Sequence, residues 1–198
     1  MRFLHSLWPA RIGLTIILIV ELLGASGVLG ITPDFTWKGM LLQCVVIWAS
    51  IEAVRFVIDR HKLNMSIGPA ALIVMLQVVV DAVGDMGHLY SRFDWYDQIL
   101  HFSGGFAAAL VTTALFKAIH ERQKNRIFPR AEIFFDGFSL SVLAQLLYEF
   151  EEYMEDVLTG SNRLGDGFDT VNDLTLGAAG ALLAALIVLK FPRLTNKR

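Results

Sequence analysis

Apolar residues fill six stretches of this chain with few interruptions, and short polar breaks separate them. Crossing about 30 Å of hydrocarbon takes roughly 20 such residues at about 1.5 Å each. The stretches at 12–31, 39–58, 67–90, 95–117, 132–152 and 170–190 reach that length. The fifth is the least regular, because Asp136 interrupts its start. The fourth opens on Trp95-Tyr96, an aromatic pair suited to a membrane–water interface. The pattern predicts an all-α fold: a polytopic integral membrane protein, a six-transmembrane-helix bundle, with residues 1–198 forming a single membrane domain.

Composition agrees with the pattern. Charged residues make up 18% of the chain and mean hydropathy is +0.53, whereas a soluble domain carries about 25% charge. The first 30 residues share features with a secretory leader, with Arg2 and Arg11 ahead of an apolar run and Gly24-Ala25-Ser26 after it. That run continues to Ile31 and is long enough to span, so it reads as an uncleaved first helix. Cys44, the only cysteine, lies in an apolar stretch and reads as a buried inert thiol.

Lysine and arginine set an expected orientation. With the N-terminus inside, all of the 17 basic residues except Lys38, Arg92 and Arg163 fall on the cytoplasmic side. Both termini are then cytoplasmic. The lipid bilayer is the expected partner, and no nucleic-acid partner is expected.

Acidic and histidine residues recur at helical spacing inside the apolar stretches: Asp81, Asp85 and His88; Asp97 and His101; Glu149 and Glu152; Asp169 and Asp173. Intervals of three and four put each group on one helix face. A charged residue near the centre of a spanning helix costs about 2.5–3.5 kcal/mol or more to insert, so pairing, water or a bound cation must offset it. With alternating helix directions, four helices bring these groups into one layer near the outer end, and only Asp81 reaches the midplane. Carboxylates with histidines suit a divalent metal ion: Zn, Mn, Fe, Mg or Ca. Asp85, His88, Asp97, His101, Asp169 and Asp173 are the expected ligands, and such an ion activates water as a nucleophile. Glu149 or Glu152 is the expected catalytic general base.

Structural roles compete with this reading. Asp97 and His101 can pair with each other, Asp169 and Thr170 can cap the sixth helix, and Glu52 can pair with Arg55. Glu151 and Glu155 read as solvated. Glu21 has no local partner, which admits a proton or ion path. Glycines 24, 27 and 30 read as packing residues of the first helix. The 158–167 segment reads as an ordinary loop, with a lid over the site as the alternative. A His-Glu-x-x-His signature, a Walker loop, a Rossmann glycine pattern and a Gly-x-Ser-x-Gly elbow are all absent.

Three segments carry a resemblance: Tyr96-Asp97-Gln98-Ile99-Leu100-His101-Phe102, Tyr148-Glu149-Phe150-Glu151-Glu152 and Asp169-Thr170-Val171-Asn172-Asp173-Leu174. Over 81–180 the chain resembles the YjdF-type inner-membrane proteins of bacteria and, more distantly, VanZ-like proteins. The resemblance implies a multi-pass protein of the bacterial inner membrane. By analogy with VanZ-like members it also implies lipid or cell-wall precursor chemistry at the cell envelope. The expected function is a metal-dependent membrane enzyme acting at the outer face on a lipid-linked or envelope substrate. The alternatives are a cation- or proton-coupled transporter and a noncatalytic scaffold.

Overall fold

The computed structural model describes residues 6–123 and 129–191. Arg2, Lys124, Arg126, Arg193, Lys197 and Arg198, which entered the orientation argument, lie outside the described residues. Six helices follow one another: α1 Trp8–Ala25, α2 Trp37–Arg60, α3 Gly68–Met86, α4 Asp94–Arg122, α5 Arg130–Thr159 and α6 Gly167–Lys190. Each is long and apolar enough to cross a membrane, and the described residues contain no strand. Ile12, Ile16 and Ile19 of α1 and Leu182, Leu183 and Leu186 of α6 point outward. Such a surface is costly in water and suited to lipid.

Local chemistry moves several boundaries from their expected places. α1 starts at Trp8 with Pro9 in its first turn, where a missing N–H costs no bond. It stops at Ala25; Gly27 and Gly30, at φ 80 and 60, form the following turn instead of packing the helix. α5 runs on to Thr159. The cap of α6 is Asp166, whose carboxylate accepts from the backbone N–H groups of Phe168 and Asp169. Asp169 is therefore in the first turn and does not serve as the cap.

The helices pack as two halves, α1–α2–α3 and α4–α5–α6, joined by contact of α3 with α4. The closest pair is α4 with α6, along a seam of small residues that includes Ala109, Ala181 and Ala184. An apolar core runs through α1, α2 and α3 and reaches α4 and α6, with Leu14, Ile51, Ile58, Met65, Ala114 and Val188 among its members. Cys44 is fully buried there and donates to the Leu14 carbonyl, in accord with an inert thiol.

Glu52 corrects the sequence-based pairing. Its carboxylate takes two bonds of 2.7 Å from Arg11, while Arg55 binds Asp59. Spacing along one helix favoured Arg55, but the α1–α2 packing brings the Arg11 fork face-on, a geometry that a guanidinium matches better.

Candidate metal centre and its arginine neighbour

At the opposite end from the termini, α1, α3 and α5 finish and α2, α4 and α6 begin. The acidic residues gather there in three groups rather than one layer.

His101 is the centre of the first. It stands in the second turn of α4, buried where that helix meets α5 and α6. Its Nε2 lies 3.5 Å from Asp97 Oδ1, one turn earlier, and 3.9 Å from Asp173 Oδ2 on α6. Its Nδ1 lies 3.5 Å from Glu149 Oε1 on α5. Asp173 Oδ1 and Glu149 Oε2 are buried without a hydrogen-bond partner among the described residues. Such orphaned oxygens are costly unless a proton, water or cation satisfies them. Two groups have ligand atoms within 4.8 Å of one another: Asp97, His101 and Asp173, and His101, Glu149 and Glu152. Asp169 sits one turn before Asp173, close enough for its charge to act on Asp97 and His101. It also lines an open groove with Asn162, Asp166, Phe168 and Asn172.

Arg163 organises the second group. The α5–α6 loop is pinned by Asp156, which accepts from the backbone N–H groups of Arg163 and Leu164 and from the Ser161 hydroxyl. This sends the Arg163 side chain, 3% exposed, inward among acids. Its Nε donates to Glu152 Oε1 at 3.0 Å, and its other nitrogens lie 3.8 Å from Asp81 and from Glu155. Nη2 donates to the Tyr148 hydroxyl at 2.7 Å, and Gln43 of α2 donates to the same oxygen. Tyr90 donates to Asp81, and Thr36 to Glu155. Burial works against the charge of Arg163, but Tyr148, Asp81 and Glu152 outweigh it and hold the guanidinium more firmly protonated than an ordinary arginine. Burial also pushes the Tyr90 phenol well above its usual value.

The third group clips two loops together. The Phe35 amide donates to Asp85 Oδ1 at 2.8 Å, and Asp34 Oδ1 lies 2.8 Å from His88 Nδ1. The Ser91 amide donates to Asp34 Oδ2. His88 lies past the end of α3 at φ 56, so it leaves the face it shares with Asp85 on an ideal helix. Burial favours a neutral Asp34, but hydrogen bonds from His88 and Ser91 dominate and hold its carboxyl below the ordinary value of 3.8. A depressed carboxylate contributes its stability in full above the unfolded-chain value and loses it as pH falls through the folded one. The clip is therefore expected to persist through neutral and mildly acidic pH and to open only at strongly acidic pH, below the range where free aspartate titrates. Hydrogen exchange at the Ser91 amide checks this; protection lost already at pH 6 would contradict it.

The structure thus brings Asp97, His101, Glu149, Glu152 and Asp173 together, sets Asp169 at their rim, and places Asp85 and His88 in the loop clip. Glu155, expected to be solvated, is buried at 7% exposure because the loop carries Arg163 over it. Half-buried Glu151 likewise keeps both carboxylate oxygens away from solvent. Sequence reasoning counted Arg163 as an outer-side charge and, unspecified among the outer-loop arginines, as a partner for Glu149; the structure pairs it with Glu152 instead. Its one signal was its isolation among acids, with Asp156 and Asp166 flanking it.

Between the halves lies a cavity of about 160 Å³, with Asp97 and His101 on its wall.

Six lipid-facing helices around a buried acidic and histidine centre define a multi-pass membrane protein. Residues 14–193 match the model of the family described as predicted membrane protein (DUF2238), and the chain belongs to that family. No curated protein and no solved structure matches the chain.

Proposed function

We propose that this protein is a membrane-embedded, metal-dependent enzyme acting at the His101 end on a lipid-linked or cell-envelope substrate. The observation that carries the reading is the buried set of ligand atoms around His101, two of its carboxylate oxygens lacking any partner among the described residues. A neutral imidazole offers one lone pair and one N–H. Glu152 is already engaged by Arg163, which leaves the Nε2 side better supplied. There Asp97, His101 Nε2 and Asp173 form the ligand set, while Glu149, 3.5 Å from Nδ1, is placed to fix the tautomer on tightening, as carboxylates behind metal-ligating histidines do. A divalent ion in that set would polarise a substrate oxygen or activate water. Glu149, with Oε2 unengaged, is the carboxylate that takes up a proton; Glu152 is held back by Arg163. Mixed nitrogen and oxygen donors admit Zn, Mn, Fe, Mg or Ca.

The basic residues nearer the termini favour termini in the cytoplasm and a site at the outer face of a bacterial inner membrane. The resemblance to YjdF-type and VanZ-like proteins supports an envelope substrate as analogy.

Glu21 favours a second reading, cation- or proton-coupled transport, because it is 1% exposed and its Oε2 has no partner among the described residues. A transport route needs polar groups continuing toward the termini. Glu52 is instead tied to Arg11, and the apolar core occupies the intervening space.

Metal analysis by mass spectrometry on the detergent-purified protein tests the proposal. Near-stoichiometric metal is expected in wild type and in His88→Ala, and its loss in His101→Ala and Asp97→Asn. Wild-type protein that stays metal-free after supplementation with divalent ions overturns the enzyme reading in favour of transport or a scaffold.

A further inference from the structure

The two halves of the bundle touch through α3 and α4 on one side. On the other side, α2 and α5 are linked at the site end through Gln43 with Tyr148 and Thr36 with Glu155. Beside these contacts lies the cavity of about 160 Å³, a partly open cleft lined by residues of α2, α3, α4 and α5. Ile47 of α2 and Ala144 of α5 line it, and Ala144 is exposed on the apolar flank of the bundle. Inward, the wall turns polar, with Gln43, Gln145 and Tyr148 leading to Asp97 and His101. The Gln145 amide is buried against Gly177 of α6, with neither its oxygen nor its nitrogen hydrogen-bonded among the described residues.

Gly104 supplies an independent observation. It lies inside α4, where glycine costs about 1 kcal/mol relative to alanine. Its neighbour Gly105 is required by packing, since a Cβ there would stand 2.0 Å from the Gly177 carbonyl oxygen. No such constraint applies to Gly104: a Cβ would meet only Gln77 Nε2, at an ordinary 3.8 Å. Its missing side chain serves the cavity it lines.

We infer that this cavity is the substrate pocket, that it receives a membrane lipid sideways from the bilayer between α2 and α5, and that the polar part of that lipid lies against Gln145 and His101. The inference rests on the enzyme reading for what happens at His101, and names the substrate class: an amphiphile with a hydrocarbon chain. The size fits part of such a molecule. A cavity of about 150 Å³ accepts benzene, so this one takes the head-proximal portion while the chain continues through the cleft into lipid. A soluble polar substrate would need no cleft in the apolar flank of the bundle.

The test uses the full chain in nanodiscs containing a phosphatidylglycerol with a photoactivatable diazirine near the glycerol end of one acyl chain. Labelled peptides are then mapped. Cross-links are expected at Ile47, Leu100, Ala108 and Ala144. Gly104→Leu, which fills the cavity, should reduce them by about tenfold, the equivalent of ~1.4 kcal/mol. Labelling of lipid-facing Leu182 and Leu186 should stay unchanged. Ala144→Trp, at an exposed lining position, should give the same loss and guards against misfolding of the first variant. Cavity labelling that is absent, or indifferent to both variants, overturns the inference. Metal content on the same preparations separates the two readings. Labelling sensitive to Gly104 in metal-free protein upholds the lipid pocket and overturns the metal. Bound metal without such labelling does the reverse.

Discussion

Replacing Arg163 by glutamine is expected to destabilise the protein by about 3–5 kcal/mol, the usual cost of removing one partner from a buried ion pair. The expectation follows from what the substitution leaves behind. Asp81, Glu152 and Glu155 all face the guanidinium and are all buried. Hydration compensates them poorly, because all three are buried and the aromatic rings of Phe35 and Tyr148 lie against the guanidinium. Arg163→Lys should recover only part of the loss, since an ammonium cannot reach several carboxylates and the Tyr148 hydroxyl with a planar fork. Adding Glu152→Gln to Arg163→Gln should recover part as well, by removing one stranded charge. The readout is the midpoint of unfolding in mixed detergent and SDS. A change within about 1 kcal/mol, the range of exposed pairs, would refute the account.

Gly105→Val and Gly180→Val are expected to be comparably damaging, at about 3 kcal/mol, the upper part of the usual range for overpacking. A Cβ on Gly105 would stand 2.0 Å from the Gly177 carbonyl oxygen, and one on Gly180 would stand 2.0 Å from the Phe102 carbonyl oxygen. Both obstacles are backbone, so no rotamer change relieves them and α4 must move away from α6. That separation carries Asp173 from His101, so any metal held between them should be lost together with stability. Gly104→Ala, one residue away, is the control: stability should hold or rise, because the new methyl group meets open space and alanine favours the helix. Equal damage from all three substitutions would mean that the seam does not decide the outcome.

The six helices were legible in the sequence because length and hydropathy alone decide whether a segment can span. The boundary errors came from caps and turns, as at Asp166 and Gly27, where a few local bonds decide. Contacts around His101 were legible in part, since the i, i+4 spacing puts Asp97 beside it and alternating helix directions bring α5 and α6 to the same end. Spacing could not divide the acids into three groups. That division depends on where the α5–α6 loop directs Arg163 and on how the chain leaves α3 at His88. Glu155 was misjudged for the same reason: helical position says which face it occupies, not which loop lies across that face. Glu52 is the analogous case between helices, its partner set by tertiary packing rather than by the nearest arginine on its own helix.

The dependence of Asp81 on Arg163 also bears on how the molecule is made. Chains emerge N-terminus first, so α3 enters the membrane with Asp81 and Asp85 well before the ribosome has translated the α5–α6 loop. Until then Asp81 lacks the guanidinium that faces it in the finished bundle. A nascent chain that stops after α4 therefore carries Asp81 with the Tyr90 hydroxyl but without its guanidinium, and lacks the α6 surface on which α4 packs. Such intermediates should be held at the insertion machinery or removed by membrane proteases, and release of the first half into free lipid should wait for the last two helices.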